Sequence, residues 1–241
     1  MKIFSLNCNK FGGGKEDNGR GEIFLKECMD NVILLAKTFL SLEEDNIIIL
    51  QEVPYGREQA KKFKEKFEKE KYKIFMPTHI EKLELISYGC TIAITRNNDK
   101  WHQIDFLIVS EQYDYANKNV ILANDDYVIV GLHVTYDVEY WSAIIDYFKQ
   151  HENEKIILMG DFNVYEEGTD RKKKFDELLS AGAIDAWVAL GNSPHKVTHE
   201  SSRVDYALMS KNAYTGMKQM NVIDVIREMN ISDHSAIYVE L

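Results

Sequence analysis

Proline and cysteine are both scarce in this chain of 241 residues, with 3 of each. An odd number of cysteines excludes a disulfide framework as the organising principle of the fold, and fits reduced thiols. The few prolines, together with the lack of repeats and low-complexity segments, mark no linker between domains. We therefore expect residues 1–241 to form a single catalytic domain, at a length where a large core needs no covalent staples.

Long apolar runs are also missing. No window reaches the ~18 consecutive apolar residues that cross a bilayer, and the start of the chain, Met1–Asn7, lacks the apolar run of a signal peptide. These absences predict a cytoplasmic protein without stable membrane insertion. The sequence leaves the oligomeric state open.

Positive charge is in deficit. The chain carries 29 Lys and Arg against 39 Asp and Glu, which gives a formal net charge of −10 at pH 7. Because duplex-binding proteins usually present a basic face to many phosphates, this balance disfavours tight non-specific binding of DNA. An acidic enzyme can still process phosphate esters when bound metal cations supply the missing positive charge.

Strand-like and helical segments alternate along the chain. Continuous apolar runs at Ile47–Leu50 and Ile156–Leu158 predict strands that are buried on both faces. Apolar residues at helical spacing predict helices over Glu22–Leu42 and Asp137–Gln150, each leading into one of these strands. The pattern favours two packed sheets with helices on their outer faces, an α/β protein of four layers.

The other predicted elements complete this alternation. Helices are predicted over 57–71 and 171–179. Strands are predicted over 2–8, 46–53, 73–76, 89–96, 106–110, 119–123, 127–135, 155–159, 204–209, 220–225 and 236–240.

Polar residues stand where several predicted strands end. Strand ends hold side chains on a fixed rim of a sheet, and the functional groups of sheet-containing enzymes cluster there. We therefore expect these polar residues to converge. Five segments of this kind, and a sixth that embeds an acid in a strand pattern, are Leu6–Asn7, Leu50–Glu52, Gly131–His133, Gly160–Asn163, Ser232–His234 and Arg203–Tyr206.

The residue types in these segments point to metal-assisted phosphate chemistry. Carboxylates brought together repel each other and raise one another's pKa values unless a cation intervenes. Oxygen ligands suit a hard ion such as magnesium, manganese or calcium better than zinc. His133 and His234 add groups that move protons or stabilise an oxyanion near neutral pH. The oxygen-bearing candidates are Asn7, Glu52, Asp161, Asn163, Asp205 and Asp233.

Each of these residues, taken alone, also has an ordinary structural explanation. Asp161 and Asn163 favour turns, and Asp233 could cap a short turn. Asp205 is harder to explain in this way, because a buried carboxylate without a partner is costly and needs a cation or a histidine. The histidines outside the motifs are interpreted as surface or loop residues: His79, His102, His151, His195 and His199.

In this order, the six segments resemble the endonuclease/exonuclease/phosphatase superfamily. That superfamily includes deoxyribonuclease-I-like enzymes, repair nucleases, neutral sphingomyelinases and inositol-polyphosphate 5-phosphatases. The resemblance runs from Asn7 to His234 and includes the mid-chain segment Tyr88–Ile94. It implies a four-layer α/β/β/α sandwich of two mixed β-sheets flanked by helices.

The resemblance also implies an activity. The chain is expected to be a hydrolase of phosphodiester bonds that depends on Mg²⁺, or on Mn²⁺ in its place, and forms no covalent intermediate. The first-choice substrate is nucleic acid, DNA or RNA, which the protein would cleave as an endonuclease or an exonuclease. The alternative is a phosphatase or phospholipase C-type enzyme acting on a phospholipid or an inositol-phosphate-like substrate, which the acidic charge favours. A non-catalytic phosphate-binding module is a third reading, but it would have lost a motif residue, and none is missing.

Individual roles follow from the same resemblance. Glu52 would be the main metal ligand, with Asn7 beside it orienting metal or phosphate and Asp233 completing the acidic rim as a further ligand. Asp161 would orient or deprotonate the attacking water. Asn163 would donate a hydrogen bond to the scissile phosphate.

The remaining roles concern the histidines. Asp205 would hold the charged form of His234, which would stabilise the negative charge that develops on the phosphate. His133 resembles the deoxyribonuclease-I-like and sphingomyelinase branch, in which this residue would protonate the leaving oxygen. Thr198, shortly before Asp205, would contact the substrate.

Overall fold

The computed structural model describes residues 1–12, 21–43, 45–54, 58–76, 89–96, 99–105, 115–165 and 167–241. Its strands are β1 (Lys2–Asn7), β2 (Ile47–Val53), β3 (Tyr72–Phe75), β4 (Cys90–Arg96), β5 (His102–Ile104), β6 (Asn119–Ala123), β7 (Tyr127–His133), β8 (Lys155–Asp161), β9 (Ile184–Asp185), β10 (Asp205–Met209), β11 (Gln219–Ile223) and β12 (Ala236–Glu240). Its helices are α1 (Gly21–Leu42), α2 (Glu58–Glu68), α3 (Val138–His151), α4 (Asp170–Ser180), α5 (Ala186–Ala189), α6 (Lys211–Thr215) and α7 (Val225–Glu228).

The strands form two six-stranded sheets that share one arrangement of strand directions. The first sheet has the order β11-β12-β1-β2-β4-β3, and the second has the order β5-β6-β7-β8-β10-β9. In each sheet the central pair, β1–β2 or β7–β8, is parallel, and the other neighbouring pairs are antiparallel. The two mixed sheets that the sequence resemblance implied are thereby confirmed.

Alternate side chains of the central strands enter different cores, which explains their continuous apolar runs. Ile47 and Ile49 of β2 pack between the two sheets, whereas Ile48 and Leu50 pack against α1 and α2. Strand β8 divides its side chains in the same way, between the inter-sheet core and the helices α3 and α4. Because each sheet is covered on both faces, the layers are helices, sheet, sheet and helices, as predicted.

Some predicted boundaries differ from the structure. Helix α3 begins one residue later than predicted, because Asp137 is its N-cap and accepts a hydrogen bond from the backbone N–H of Glu139 at 2.9 Å. The strand predicted to end at Val225 ends at Ile223, and Val225 opens α7. The predicted strand 106–110 lies outside the described residues. Elements as short as β9 and α5 leave no periodic signal in the sequence.

The scarce cysteines occur as thiols. The cysteines Cys8, Cys28 and Cys90 are free and buried. Burial raises the pKa of Cys90 to about 12 and that of Cys8 well above its ordinary value, so both thiols stay protonated and unreactive. In the described ranges, each helix falls short of the length or the apolar character that a bilayer span requires.

Candidate active site

The polar strand ends of the two sheets meet at one end of the sandwich. Asn7 and Glu52 lie at or near the carboxyl ends of β1 and β2, and His133 and Asp161 end β7 and β8. Strand β10 runs antiparallel to β8, so that its first residue, Asp205, pairs with Asp161. Residues that are far apart in the chain thus become neighbours, as the sequence predicts.

Asn7 joins the acids of the two sheets. Its Nδ2 donates to Asp161 Oδ2 at 3.0 Å and lies 3.4 Å from Glu52 Oε1, while its Oδ1 accepts from the backbone N–H of Asn9 at 2.9 Å. The amide nitrogen therefore faces the two carboxylates and the amide oxygen faces Asn9. In this orientation Asn7 is a hydrogen-bond donor at the rim, and its oxygen is not presented as a metal ligand beside Glu52.

The backbone is strained where it presents Glu52. The φ angle of Glu52 is 54°, a left-handed conformation that costs a non-glycine residue about 1–3 kcal/mol. A Cβ on the neighbouring Gly89 would lie 2.7 Å from the Glu52 carbonyl carbon, so only glycine fits there. The pairing of β2 with β4 shifts between Leu50 and Val53, which is a β-bulge. We infer that the bulge turns the Glu52 side chain toward the rim.

Asp161 is nearly fully buried. Its Oδ1 accepts a hydrogen bond from the backbone N–H of Asn163 at 2.8 Å, and its Oδ2 accepts from Asn7. Burial is the largest influence on the pKa of Asp161; His234 opposes it, Asp205 adds to it, and the pKa rises to about 6. A carboxyl group with a pKa so close to neutral is suited to proton transfer.

His234 is the cationic centre of the site. Its Nδ1 lies 3.0 Å from Asp205 Oδ2, and its Nε2 lies 4.0 Å from Asp161 Oδ2. Burial acts most strongly on His234 and lowers its pKa, but Asp205, Asp161 and Asp233 together outweigh burial and raise the pKa to about 10. The imidazole is therefore charged at neutral pH. The partner that the buried Asp205 requires is His234, as the sequence reasoning expected.

Thr198 supports Asp205 from within the protein. Its Oγ1 accepts hydrogen bonds from the backbone N–H groups of Val204 at 3.0 Å and Asp205 at 3.1 Å. Its carbonyl accepts from the N–H of Ser235 at 2.7 Å, next to His234. With a fully buried side chain and an engaged hydroxyl, Thr198 fixes the start of β10, and this placement does not support the predicted contact with substrate.

His133 lies between the two acidic strand ends. Its Nε2 is 3.6 Å from Glu52 Oε1 and 3.8 Å from Asp161 Oδ2. Burial, and after it the positive charges of Lys118 and His234, hold the pKa of His133 well below its ordinary value. The family resemblance implied that His133 protonates the leaving oxygen. A neutral imidazole is better suited to forming a hydrogen bond than to donating a proton.

Asn163 follows Asp161 in a tight turn with a φ angle of 52°. Its Nδ2 donates to the carbonyl of Val134 at 3.0 Å, and its own carbonyl accepts from Arg171 Nη1 at 2.6 Å. An amide nitrogen carries two hydrogens, so one N–H remains beyond the bond to Val134. Donation from Asn163 to a phosphate therefore stays a prediction.

His199 is a site residue that the sequence reasoning missed. Its ring stacks on His234, with centroids 4.1 Å apart and an interplanar angle of 18°. Its Nδ1 lies 3.1 Å from Tyr165 Oη, and its Nε2 lies 3.5 Å from Asp233 Oδ2. The only signal in the sequence was the position of His199 beside Thr198, in the segment that leads to β10.

Two sets of donors lie close enough together to be considered as ligands of a cation. His199, Asp233 and His234 offer ligand atoms within 4.8 Å of one another. His234, however, already carries a proton held by Asp205, which opposes metal binding. Glu52 offers a partly exposed carboxylate beside the buried Asp161, so that negative charge accumulates at the rim. Oxygen donors of this kind fit a hard divalent ion, and the role of Glu52 as its main ligand stays a prediction.

Comparisons with known proteins support the fold. No protein-family model matches this sequence, and no curated protein sequence does. Among solved structures, an AP endonuclease from Archaeoglobus fulgidus matches with a TM-score of 0.73 at 14% identity, covering 100% of this chain and 99% of that one. The 3′-5′ exonuclease NExo from Neisseria meningitidis matches with a TM-score of 0.71 at 14% identity and the same coverage.

A third structure has the same relation to this chain. The 3′ phosphatase NExo from Neisseria, bound to product DNA hairpin, matches with a TM-score of 0.68 at 14% identity, over 100% of this chain and 99% of that one. Identity this low establishes a common fold and not a common substrate. The chain therefore shares the fold of these three structures, and this is the fold that the sequence resemblance implied.

Proposed function

We propose that this protein hydrolyses phosphodiester bonds in DNA with the help of a divalent metal ion, Mg²⁺ or Mn²⁺. One observation carries the proposal: Glu52 and Asp161, from different sheets, both lie within 4 Å of His133, with the charged His234 beside them. DNA is preferred as the substrate because the compared structures include one bound to product DNA. Residues 1–241 would act as one catalytic domain, since the site takes residues from both sheets.

The proton chemistry is assigned to Asp161. It orients the attacking water and accepts its proton, because burial has raised its pKa to about 6, close to the working pH. His234, held in its charged form by Asp205, neutralises the negative charge that develops on the phosphate. Asn163 and His133 donate hydrogen bonds to phosphate oxygens.

The ion is assigned to Glu52, with Asp233, which accepts a hydrogen bond from Asn9 Nδ2 at 2.8 Å, as a second carboxylate ligand. Bound there, it would supply the positive charge that an acidic protein needs in order to hold a phosphate ester. Asn7 keeps Glu52 and Asp161 in place through its amide N–H groups. Lys10 Nζ, 3.9 Å from Glu52 Oε2, adds further positive charge to this edge.

A second candidate is hydrolysis of a smaller or lipid-linked phosphate ester. The observation that favours it is the net charge of −10, which works against a long polyanion. The residues of the site indicate that a phosphate reacts there, but they do not indicate which group is attached to that phosphate. The two candidates are therefore separated by offering substrates and not by further mutation of the site.

The test is a substrate panel with and without metal. Purified protein is incubated in Mg²⁺, in Mn²⁺ or in EDTA with single-stranded DNA, duplex DNA containing an abasic site, RNA, sphingomyelin vesicles and inositol phosphates. We expect cleavage of DNA that EDTA abolishes. Preferential turnover of sphingomyelin or inositol phosphates would support the second candidate, and turnover of none would overturn the proposal.

Matched variants tie the activity to the site. Asp161→Asn is expected to lose most of the activity. His195→Ala, which changes an exposed histidine away from the motifs, is expected to keep wild-type activity. Cleavage that persists nearly unaltered in Asp161→Asn would contradict the role assigned to Asp161.

A further inference from the structure

A column of stacked rings and charges leads from the protein surface to His234. Its outer member is Tyr136, three residues after His133, with 67% of its surface exposed. The guanidinium carbon of Arg171 lies 3.8 Å from the centroid of the Tyr136 ring and 5.8 Å from that of Tyr165. Tyr165 in turn reaches the stacked pair His199 and His234 through its hydroxyl group.

The position of Tyr136 is fixed by groups of the candidate site. Arg171 Nη1 donates to the carbonyl of Asn163 at 2.6 Å, so the guanidinium group is tied to the turn that follows Asp161. Stacking on a guanidinium group then holds the Tyr136 ring from one side. An exposed aromatic ring held in this way is arranged to receive a flat partner without losing much side-chain freedom.

The chemistry of the column favours a nucleobase as that partner. Bases stack on aromatic side chains whatever their sequence, because each base has a π-face. The cation behind the ring adds attraction for a neighbouring phosphate, and an acyl chain gains nothing from it. Resting on the proposed function, we propose that Tyr136, backed by Arg171, forms a stacking subsite for a base of single-stranded DNA next to the scissile phosphate.

The test separates base stacking from phosphate chemistry. A single-stranded oligonucleotide is compared with one of equal length in which the bases are replaced by abasic residues. The enzymes are the wild type, Tyr136→Ala, Tyr136→Phe and, as a control, Val138→Ala, which changes an exposed neighbour at the start of α3. KM and kcat are measured in Mg²⁺, and equilibrium binding of the labelled oligonucleotides is measured in EDTA by fluorescence anisotropy.

We expect Tyr136→Ala to raise KM for the base-containing strand about 5- to 100-fold, with kcat nearly unchanged. Tyr136→Phe keeps the ring and should stay within about threefold of the wild type, as should Val138→Ala. The abasic strand should be cleaved equally well by all four proteins. The binding constants in EDTA should change in parallel with KM.

Two results would overturn the subsite. Equal losses on both oligonucleotides would show that Tyr136 acts on the phosphate backbone or on the fold, and unchanged KM and binding would show that it does nothing. If the wild type cleaves no DNA, the proposed function fails, and base-dependent binding in EDTA still decides whether the subsite exists.

Discussion

Strands β2 and β8 occupy matching places in two sheets of the same strand order, yet their acids lie in different environments. Each strand is parallel to the strand before it in the sheet and antiparallel to the one after it. The side chain of Glu52 is 20% exposed and that of Asp161 is 2% exposed. The difference teaches that burial, and not position in the sheet, separates a carboxylate suited to an ion from one suited to a proton.

The strands that precede them differ in a related way. Strand β1 ends in Asn7, which is neutral at every pH, and β7 ends in His133, whose pKa burial lowers until it too is neutral. Both acids are therefore flanked by neutral hydrogen-bonding groups. Positive charge enters the site from outside these four strand ends, above all from His234.

Among the variants that test the contrast between Glu52 and Asp161, Asp161→Asn should have the largest effect, and that effect is on catalysis. Asp161→Asn keeps the shape of the side chain but cannot accept a proton, so kcat for DNA cleavage should fall by about 10²–10⁴-fold. Steady-state rates at saturating Mg²⁺ measure the loss, and circular dichroism checks the fold. A loss smaller than about tenfold would remove Asp161 from its assigned role.

The glycines that accompany the two acids should differ in their effect on stability. A Cβ at Gly160, in β8, would lie 2.0 Å from the carbonyl oxygen of Leu132, whereas a Cβ at Gly89 would approach the Glu52 backbone at 2.7 Å. We expect Gly160→Ala to lower the free energy of unfolding by about 3 kcal/mol or more, and Gly89→Ala by about 1–3 kcal/mol. Urea unfolding measures both, and the reverse order would contradict the distances.

The pH dependence of stability, measured in EDTA, tests whether Asp161 is the acid whose pKa burial raises. The pKa of Asp161 is raised in the folded state from 3.8 to about 6. Its contribution to stability is therefore present below about pH 3.8 and is lost as the pH rises through about 6. Asp161→Asn lacks this titration, so between pH 4 and pH 7 the stability of the variant relative to the wild type should rise by on the order of 2 kcal/mol. The hydrogen bond that the amide nitrogen cannot accept from Asn7 or Asn163 is lost at both pH values.

Urea unfolding at several pH values gives that difference directly. Asp146→Asn, which changes an exposed aspartate on α3, is the matched control for a general change of charge. A stability difference between Asp161→Asn and the wild type that is the same at pH 4 and pH 7 would contradict the raised pKa.

The smallest effect concerns Glu52 and the ion. Glu52→Gln keeps the hydrogen bond that Asn7 donates but removes a charge, so the Mg²⁺ concentration for half-maximal activity should rise at least about tenfold. The Asp161→Asn variant should bind the ion with little change, as isothermal titration calorimetry would show. Equal Mg²⁺ dependence in the wild type and Glu52→Gln would place the ion elsewhere.

Local patterns indicated the layers and the polar rim, and the family resemblance supplied the two mixed sheets and the residue roles. The apolar runs in β2 and β8 predict two strands that are buried on both faces, and the polar residues that follow them predict a shared rim. Asp205 was expected to need a charged partner, because it interrupts an apolar strand. Such patterns depend on neighbouring residues in the chain, and these stay neighbours in any fold.

Other features could not be read from the chain. Thr198 was expected to face the substrate, but its hydroxyl is used by the backbone of Val204 and Asp205. His199 was expected to be a surface or loop residue, but it stacks on His234. Both residues lie in a segment whose conformation is set by a contact with His234, which is distant in sequence.

The sequence by itself determined the layers, the order of the motifs and the kinds of donor atom at the rim. Only the tertiary structure decided which carboxylate is buried, which histidine is charged and which amide group faces the acids. The physical reason is that the pKa of a group depends on its burial and on the charges around it. At Asp161 and His234 those charges come from several strands and loops that meet only in the folded protein.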